Sequence, residues 1–181
     1  MMPVMRLDPA TSLLAIIDTQ ERLLPAIPGS DQVVHRCTRL ATAAGLLGVA
    51  TVVTEQYPQG LGRTAPPLAA VVPQAASKMT FSCCGCEAFI TATTGVDAVV
   101  LAGLETHVCV AQTALDLLAR GLVVFIAVDA VASRHALDHD VALRRLEAAG
   151  AILTTSEAVL FEWCRSAEHP RFQEVRRLVL G

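Results

Sequence analysis

Apolar and polar positions along the chain follow two alternating periods. Short apolar runs rich in strand-forming residues lie at Ser12 to Ile17, Val49 to Thr54, Ala75 to Met79, Val96 to Leu101, Leu122 to Val128 and Ala151 to Thr154. Runs of this length and continuity read as strands buried on both faces. Between them, apolar residues recur at helical spacing over Asp31 to Leu47, Glu87 to Thr94, Thr106 to Ala119 and Leu137 to Ala149, each closed by a glycine: Gly48, Gly95, Gly121 and Gly150. Ser156 through Cys164 and Pro170 through Leu180 read as closing helices, and Tyr57 to Pro67, crowded with Gly and Pro, as loop. Helix–Gly–strand punctuation repeated in this way marks βαβ units, which require parallel strands joined by right-handed crossovers. The expectation is one α/β domain over 1–181, a three-layer α/β/α sandwich around a six-stranded, mainly parallel, Rossmann-like sheet.

Composition adds limits on partners. Hydrophobic residues make up 53% of the chain, and mean hydropathy is +0.51. No apolar run reaches the roughly 18 residues that cross a membrane. The excess is assigned to doubly buried strands and is consistent with a buried subunit interface. Net charge is −3, and the basic group Arg171, Arg176 and Arg177 is interleaved with Glu174 and apolar positions. That pattern is the solvated face of an amphipathic helix, which argues against a nucleic-acid partner. The first apolar run ends at Asp18 without the pattern of a secretion signal, and no lipidation motif is present. Six cysteines without such a signal point to free thiols in a reducing, cytoplasmic setting.

In parallel sheets the reactive side chains lie just beyond the strand carboxyl ends. The first strand ends in Asp18-Thr19-Gln20, the third in Lys78-Met79-Thr80-Phe81-Ser82, and the fourth leads to Gly103-Leu-Glu-Thr-His-Val-Cys109 at a helix start. A carboxylate, an ammonium and a thiol can converge there. The helix start and the ammonium favour a thiolate at Cys109, and a carboxylate in a low-dielectric pocket suits a general base. Each residue has a plainer reading as well: Cys109 as a buried structural thiol, Asp18 as a turn cap, Lys78 as a solvated lysine.

The segments Leu14-Ala-Ile-Ile-Asp18-Thr-Gln20, Lys78-x-x-Phe81-Ser82 and Gly103-Leu-Glu-Thr-His-Val-Cys109-Val-x-Gln112-Thr113-Ala-Leu-Asp116 together resemble the isochorismatase-like cysteine hydrolases. Val53-Thr-Glu-Gln-Tyr-Pro-Gln-Gly-Leu-Gly62 and Val128-Asp-Ala-Val-Ala-Ser-Arg134 look like the isochorismatase domain-containing subgroup, whose substrates are mostly undefined. The resemblance implies a catalytic triad of Asp18, Lys78 and Cys109, an oxyanion hole from the backbone N–H groups of Glu105 and Cys109, and a cis peptide at Leu104–Glu105. It implies hydrolysis of a small amide or related carbonyl compound through a thioester, by a homo-oligomer, dimer or larger. Nicotinamidases of this superfamily bind a metal through Asp and His after the second strand; here Thr54-Glu55-Gln56-Tyr57-Pro58 contains no His. No metal or other cofactor is expected.

Gln20, Tyr57, Phe81 and the Glu105 side chain are assigned to the pocket, Phe81 with ordinary core packing as its alternative. Cys83 and Cys86 form a C-x-x-C before a helix, which raises a redox role, but no second ligand pair accompanies it to suggest zinc. Asp138-His139-Asp140 reads as helix capping and His107 as a surface or capping residue. A catalytically silent scaffold protein is the alternative for the whole chain.

Overall fold

The computed structural model describes residues 6–180. In chain order the elements are β1 (Ser12–Ile17), α1 (Ser30–Leu47), β2 (Ala50–Gln56), two single-turn helices α2 (Pro58–Leu61) and α3 (Pro66–Ala69), β3 (Ala76–Lys78) and α4 (Glu87–Ala92). They continue with β4 (Ala98–Leu104), a π-helical turn (Thr106–Val110), α5 (Ala111–Ala119), β5 (Val123–Ala132), α6 (Ala136–Ala148), β6 (Ile152–Thr154), α7 (Ser156–Cys164) and α8 (Phe172–Leu180). All strand pairings are parallel, and the order across the sheet is β3-β2-β1-β4-β5-β6. The expected α/β/α sandwich is the observed one.

Side-chain alternation along the strands divides the core. Leu14, Ile16, Val100, Ala102 and Phe125 face α1, α7 and α8. Leu13, Ala15, Ile17, Val99, Leu101, Val124 and Ile126 face α4, α5 and α6. Both faces are covered, which is why the strands read as continuous apolar runs. A fully buried Leu or Ile of this kind contributes about 1.5–3 kcal/mol.

Three strands run further than hydrophobicity alone suggests: β2 to Gln56, β4 to Leu104 and β5 to Ala132. Thr54, Glu55 and Gln56 are buried polar residues whose side chains find protein partners, so polarity does not end the strand. In β4 the apparent stop is Gly103. It pairs with Ile17 of β1 at φ 125, and a Cβ there would collide with the Ile17 backbone. Only glycine allows this approach. The loop expected over Tyr57 to Pro67 instead contains α2 and α3, each begun by a proline that presets the helical φ.

The sheet reverses its winding between β1 and β4. Those adjacent strands leave their carboxyl ends side by side, where crossovers to opposite faces open a crevice. Asp18 follows one and the turn bearing Cys109 follows the other.

Candidate active site

The Asp18 carboxylate is held from two sides. Lys78 Nζ donates to Oδ2 at 2.7 Å and the Thr54 hydroxyl donates to Oδ1 at 2.8 Å. The Asp18 and Lys78 side chains are each only 1% exposed. A buried ion pair survives desolvation only with further hydrogen bonds. Lys78 has them: Nζ also reaches Gln56 Oε1 at 2.8 Å, Phe81 O at 2.9 Å and Thr80 O at 3.2 Å. The residues after β3 thus wrap around the ammonium and present Phe81.

Cys109 lies four residues beyond Glu105, within the π-helical turn. Glu105 takes the left-handed conformation at φ 59 and ψ 63, and its carbonyl accepts from Val108 N at 2.9 Å and Val110 N at 3.4 Å. The Leu104–Glu105 peptide is trans, a correction to the sequence expectation; among the described residues there are no cis peptides. The left-handed residue followed by a wide turn makes the reversal. Asp18 and Tyr57, at the exits of β1 and β2, are also left-handed, at φ 52 and φ 39.

Cys109 is buried, and burial together with the Asp18 charge pushes its thiol above the ordinary range, with Lys78 opposing only in part. The shift runs against the thiolate that the sequence suggested. Desolvation outweighs the helix-terminus effect that the sequence brings to mind.

Asp18 and Cys109 open onto a cavity of about 310 Å³, lined also by Leu23, Gln56, Leu61, Phe81, Glu105, Val108 and Arg134. A larger groove of about 740 Å³ lies beyond Phe81, between the loop after β3 and α5, but contains neither group. The chemistry places the site in the smaller cavity. The Glu105 carboxylate lines it, with Oε1 accepting from Arg134 N and Oε2 from Arg134 Nε, both at 3.2 Å.

These elements have close counterparts among known proteins. The isochorismatase domain model matches residues 12–158. The chain belongs to the isochorismatase family. Isochorismatase domain-containing protein 2 of Bos taurus is 44% identical over 175 residues, covering 96% of this chain and 85% of that protein. Isochorismatase domain-containing protein 1 of Danio rerio is 42% identical over 178 residues, 96% of this chain, which spans 62% of that relative's length. The structure of MAR1 ribonuclease from Caenorhabditis elegans matches at a TM-score of 0.94 and 41% identity, over 98% of this chain and 93% of that one. YcaC from Pseudomonas aeruginosa, solved with hexane-2,5-diol and covalent acrylamide, matches at 0.82 and 27% identity over 98% and 97%. YcaC from Escherichia coli, described as an octameric hydrolase of unknown specificity, matches at 0.84 and 26% identity over 98% and 96%.

Within this isochorismatase domain, the remaining sequence assignments divide. Phe81 lines the cavity and is half-exposed. Gln20 does not line it. The Gln20 side chain is buried and spent on backbone: Nε2 donates to Gln56 O and Gly62 O, and Oε1 accepts from Gln56 N. It is a strut between the loops after β1 and β2, because the left-handed turn at Asp18 swings it away from the opening. Tyr57 is also absent from the lining; its ring covers Gly60, where no Cβ would fit.

Cys83, the first cysteine of the C-x-x-C, is fully buried, 3.5 Å from the Thr54 hydroxyl that bonds Asp18. Its backbone N–H donates to Thr113 Oγ1 at 2.9 Å, and that hydroxyl donates to Cys109 O at 2.7 Å. All six cysteines are free thiols. His107 and His139 pin the π-helical turn against its surroundings, through Ser133 Oγ and Thr106 Oγ1 respectively, each at 3.0 Å. The residue that caps α6 is His135, with Asp138 in the first turn.

Gln56, Leu23, Leu61, Val108 and Arg134 are cavity residues that the sequence reading did not place there. Gln56 had a signal, since it stands before Tyr57 at a strand exit as Ile17 stands before Asp18. Lys78 carried a signal of its own: it is the only lysine among fourteen Lys and Arg residues.

Proposed function

We propose that this chain is a cysteine hydrolase that cleaves the C–N bond of a small amide or related carbonyl compound, with Asp18, Lys78 and Cys109 as its triad. The observation that carries the reading is the cavity shared by Asp18 and Cys109, with the Asp18 carboxylate oriented there by Lys78 and Thr54.

As Cys109 Sγ attacks the carbonyl carbon, its proton passes to Asp18, so the thiolate forms only with the new C–S bond. The carbonyl oxygen becomes an oxyanion facing the Glu105 and Cys109 N–H groups, at a turn whose first N–H groups have no preceding helical carbonyl. Protonated Asp18 gives its proton to the leaving nitrogen, the C–N bond breaks and a thioester remains. Asp18 then takes a proton from water, which attacks the thioester; the C–S bond breaks, acid is released and the thiol is restored. Lys78 compensates the Asp18 charge throughout. Nothing in this sequence calls for a cofactor. Covalent acrylamide in the YcaC structure supports a reactive nucleophile in this fold.

The test is a panel of small amides, carbamoyl compounds and esters read by product release and intact mass. Wild type turns over at least one substrate and accumulates a thioester adduct on Cys109. Cys109→Ala abolishes both; turnover surviving that substitution would refute the mechanism.

The same reading places the protein in a reducing compartment as a homo-oligomer, supported by its free thiols, the octameric YcaC relative, and Leu137 and Val141 exposed on α6. Among the described residues, no helix is long and apolar enough to cross a membrane.

A further inference from the structure

Every charge bordering the catalytic cavity is already matched by another protein charge. Asp18 and Lys78 form one pair, and Lys78 has three protons facing four acceptors, so none remains for a ligand. Glu105 and Arg134 form the second. The buried Glu105 carboxylate has one oxygen on the Arg134 backbone N–H and the other on Arg134 Nε and Nη2, each at 3.2 Å. Arg134 is thus turned toward Glu105 by a contact on two of its guanidinium nitrogens. The rest of the wall is mainly apolar: Leu23, Leu61, Phe81 and Val108.

A net charge on a ligand would enter this mainly apolar space with no unpaired protein charge to meet it. An anion would also face two carboxylates. We infer that the cavity selects an uncharged carbonyl compound with an apolar substituent, and that the Glu105–Arg134 pair enforces this by keeping the arginine from receiving a carboxylate. At about 310 Å³ the cavity is near the lower end of ligand sites, which limits the substrate to a small molecule. Glu105 contributes its backbone N–H to the reaction and its side chain to specificity. This inference rests on the cysteine hydrolase reading for the site's chemistry.

Iodoacetamide and iodoacetate test it, because they alkylate thiols alike and differ in charge. The measured quantity is the ratio of their rates at Cys109, by peptide mass spectrometry, divided by the same ratio for a free thiol such as glutathione. The expected value favours iodoacetamide by roughly tenfold or more, the scale on which like charges oppose each other in a desolvated site. Glu105→Gln should move the ratio toward iodoacetate and Arg134→Gln should move it further toward iodoacetamide. A ratio at or below that of glutathione, or the same shift in both variants, would overturn the inference.

Failure of both reagents at Cys109 would count against the nucleophile instead. Thermal shifts with isobutyramide and isobutyrate then decide the specificity separately. Stabilisation by the amide alone supports the uncharged class; stabilisation by the acid, or by neither at high concentration, overturns it.

Discussion

At the residue scale, the proposed mechanism asks one carboxylate, Asp18, to be base as well as counter-ion to Lys78. Asp18→Asn keeps the shape but removes the proton acceptor, and should lower kcat by about 10²–10⁴. It also leaves the Lys78 ammonium buried without its partner, a change that costs about 3–5 kcal/mol. The double variant Asp18→Asn/Lys78→Met should recover much of that stability in urea unfolding while staying inactive. Equal destabilisation of the single and double variants would show that the pair is not the stabilising unit. Gly103 tests the backbone that supports the site. Gly103→Ala drives a methyl into the Ile17 backbone one residue before Asp18, so a loss of several kcal/mol is expected, among the larger single-site effects. The convergence of Asp18, bonded to Lys78, with Cys109 on one cavity was legible from residue type and place, since a strand exit is where chemistry collects in such a sheet. The upward shift of the Cys109 thiol was not, because helix-terminus effects show in a sequence and desolvation does not.

At the element scale, three strand exits carry non-glycine residues in the left-handed region: Asp18, Tyr57 and Glu105. Such conformations cost of order 1–3 kcal/mol each and persist where surrounding contacts hold them. Glu105→Gly should therefore relieve local strain yet lower kcat, because the turn loses its Arg134 and His107 partners. Unfolding midpoint and turnover measured on the same preparation check whether the two separate. Thr113 plays a quieter part, joining the Cys83 loop to the Cys109 turn through one hydroxyl. Thr113→Val should cost about 1–3 kcal/mol by leaving two buried backbone groups unpaired. Strand and helix order could be read directly from periodicity. The loops could not: Leu23 and Leu61 meet because an antiparallel bridge joins Gln20 to Thr64, a contact between positions far apart in the chain. Nor does periodicity distinguish a π-helical turn from the first turn of α5, since both bury Val110 and Ala114.

At the scale of the whole molecule, buried thiols tie stability to alkalinity. Burial raises Cys37 from the ordinary 9.0 to about 12 and Cys83 to about 11. These groups keep their protons in the folded state where the unfolded chain has lost them. Stability is then complete below pH 9 and declines as pH rises toward those values, each thiol adding a slope of about 1.4 kcal/mol per pH unit. Urea unfolding above pH 9 should show the decline, and Cys37→Ala should flatten it. An unchanged slope in that variant would contradict the assignment. The saturated Lys78 ammonium has one more consequence. The chain has no other side-chain amine, so an amine-selective reagent meets no lysine side chain but this buried one while the fold is intact. Peptide mass spectrometry of the Lys78 side chain after such labelling would then count opened molecules one at a time.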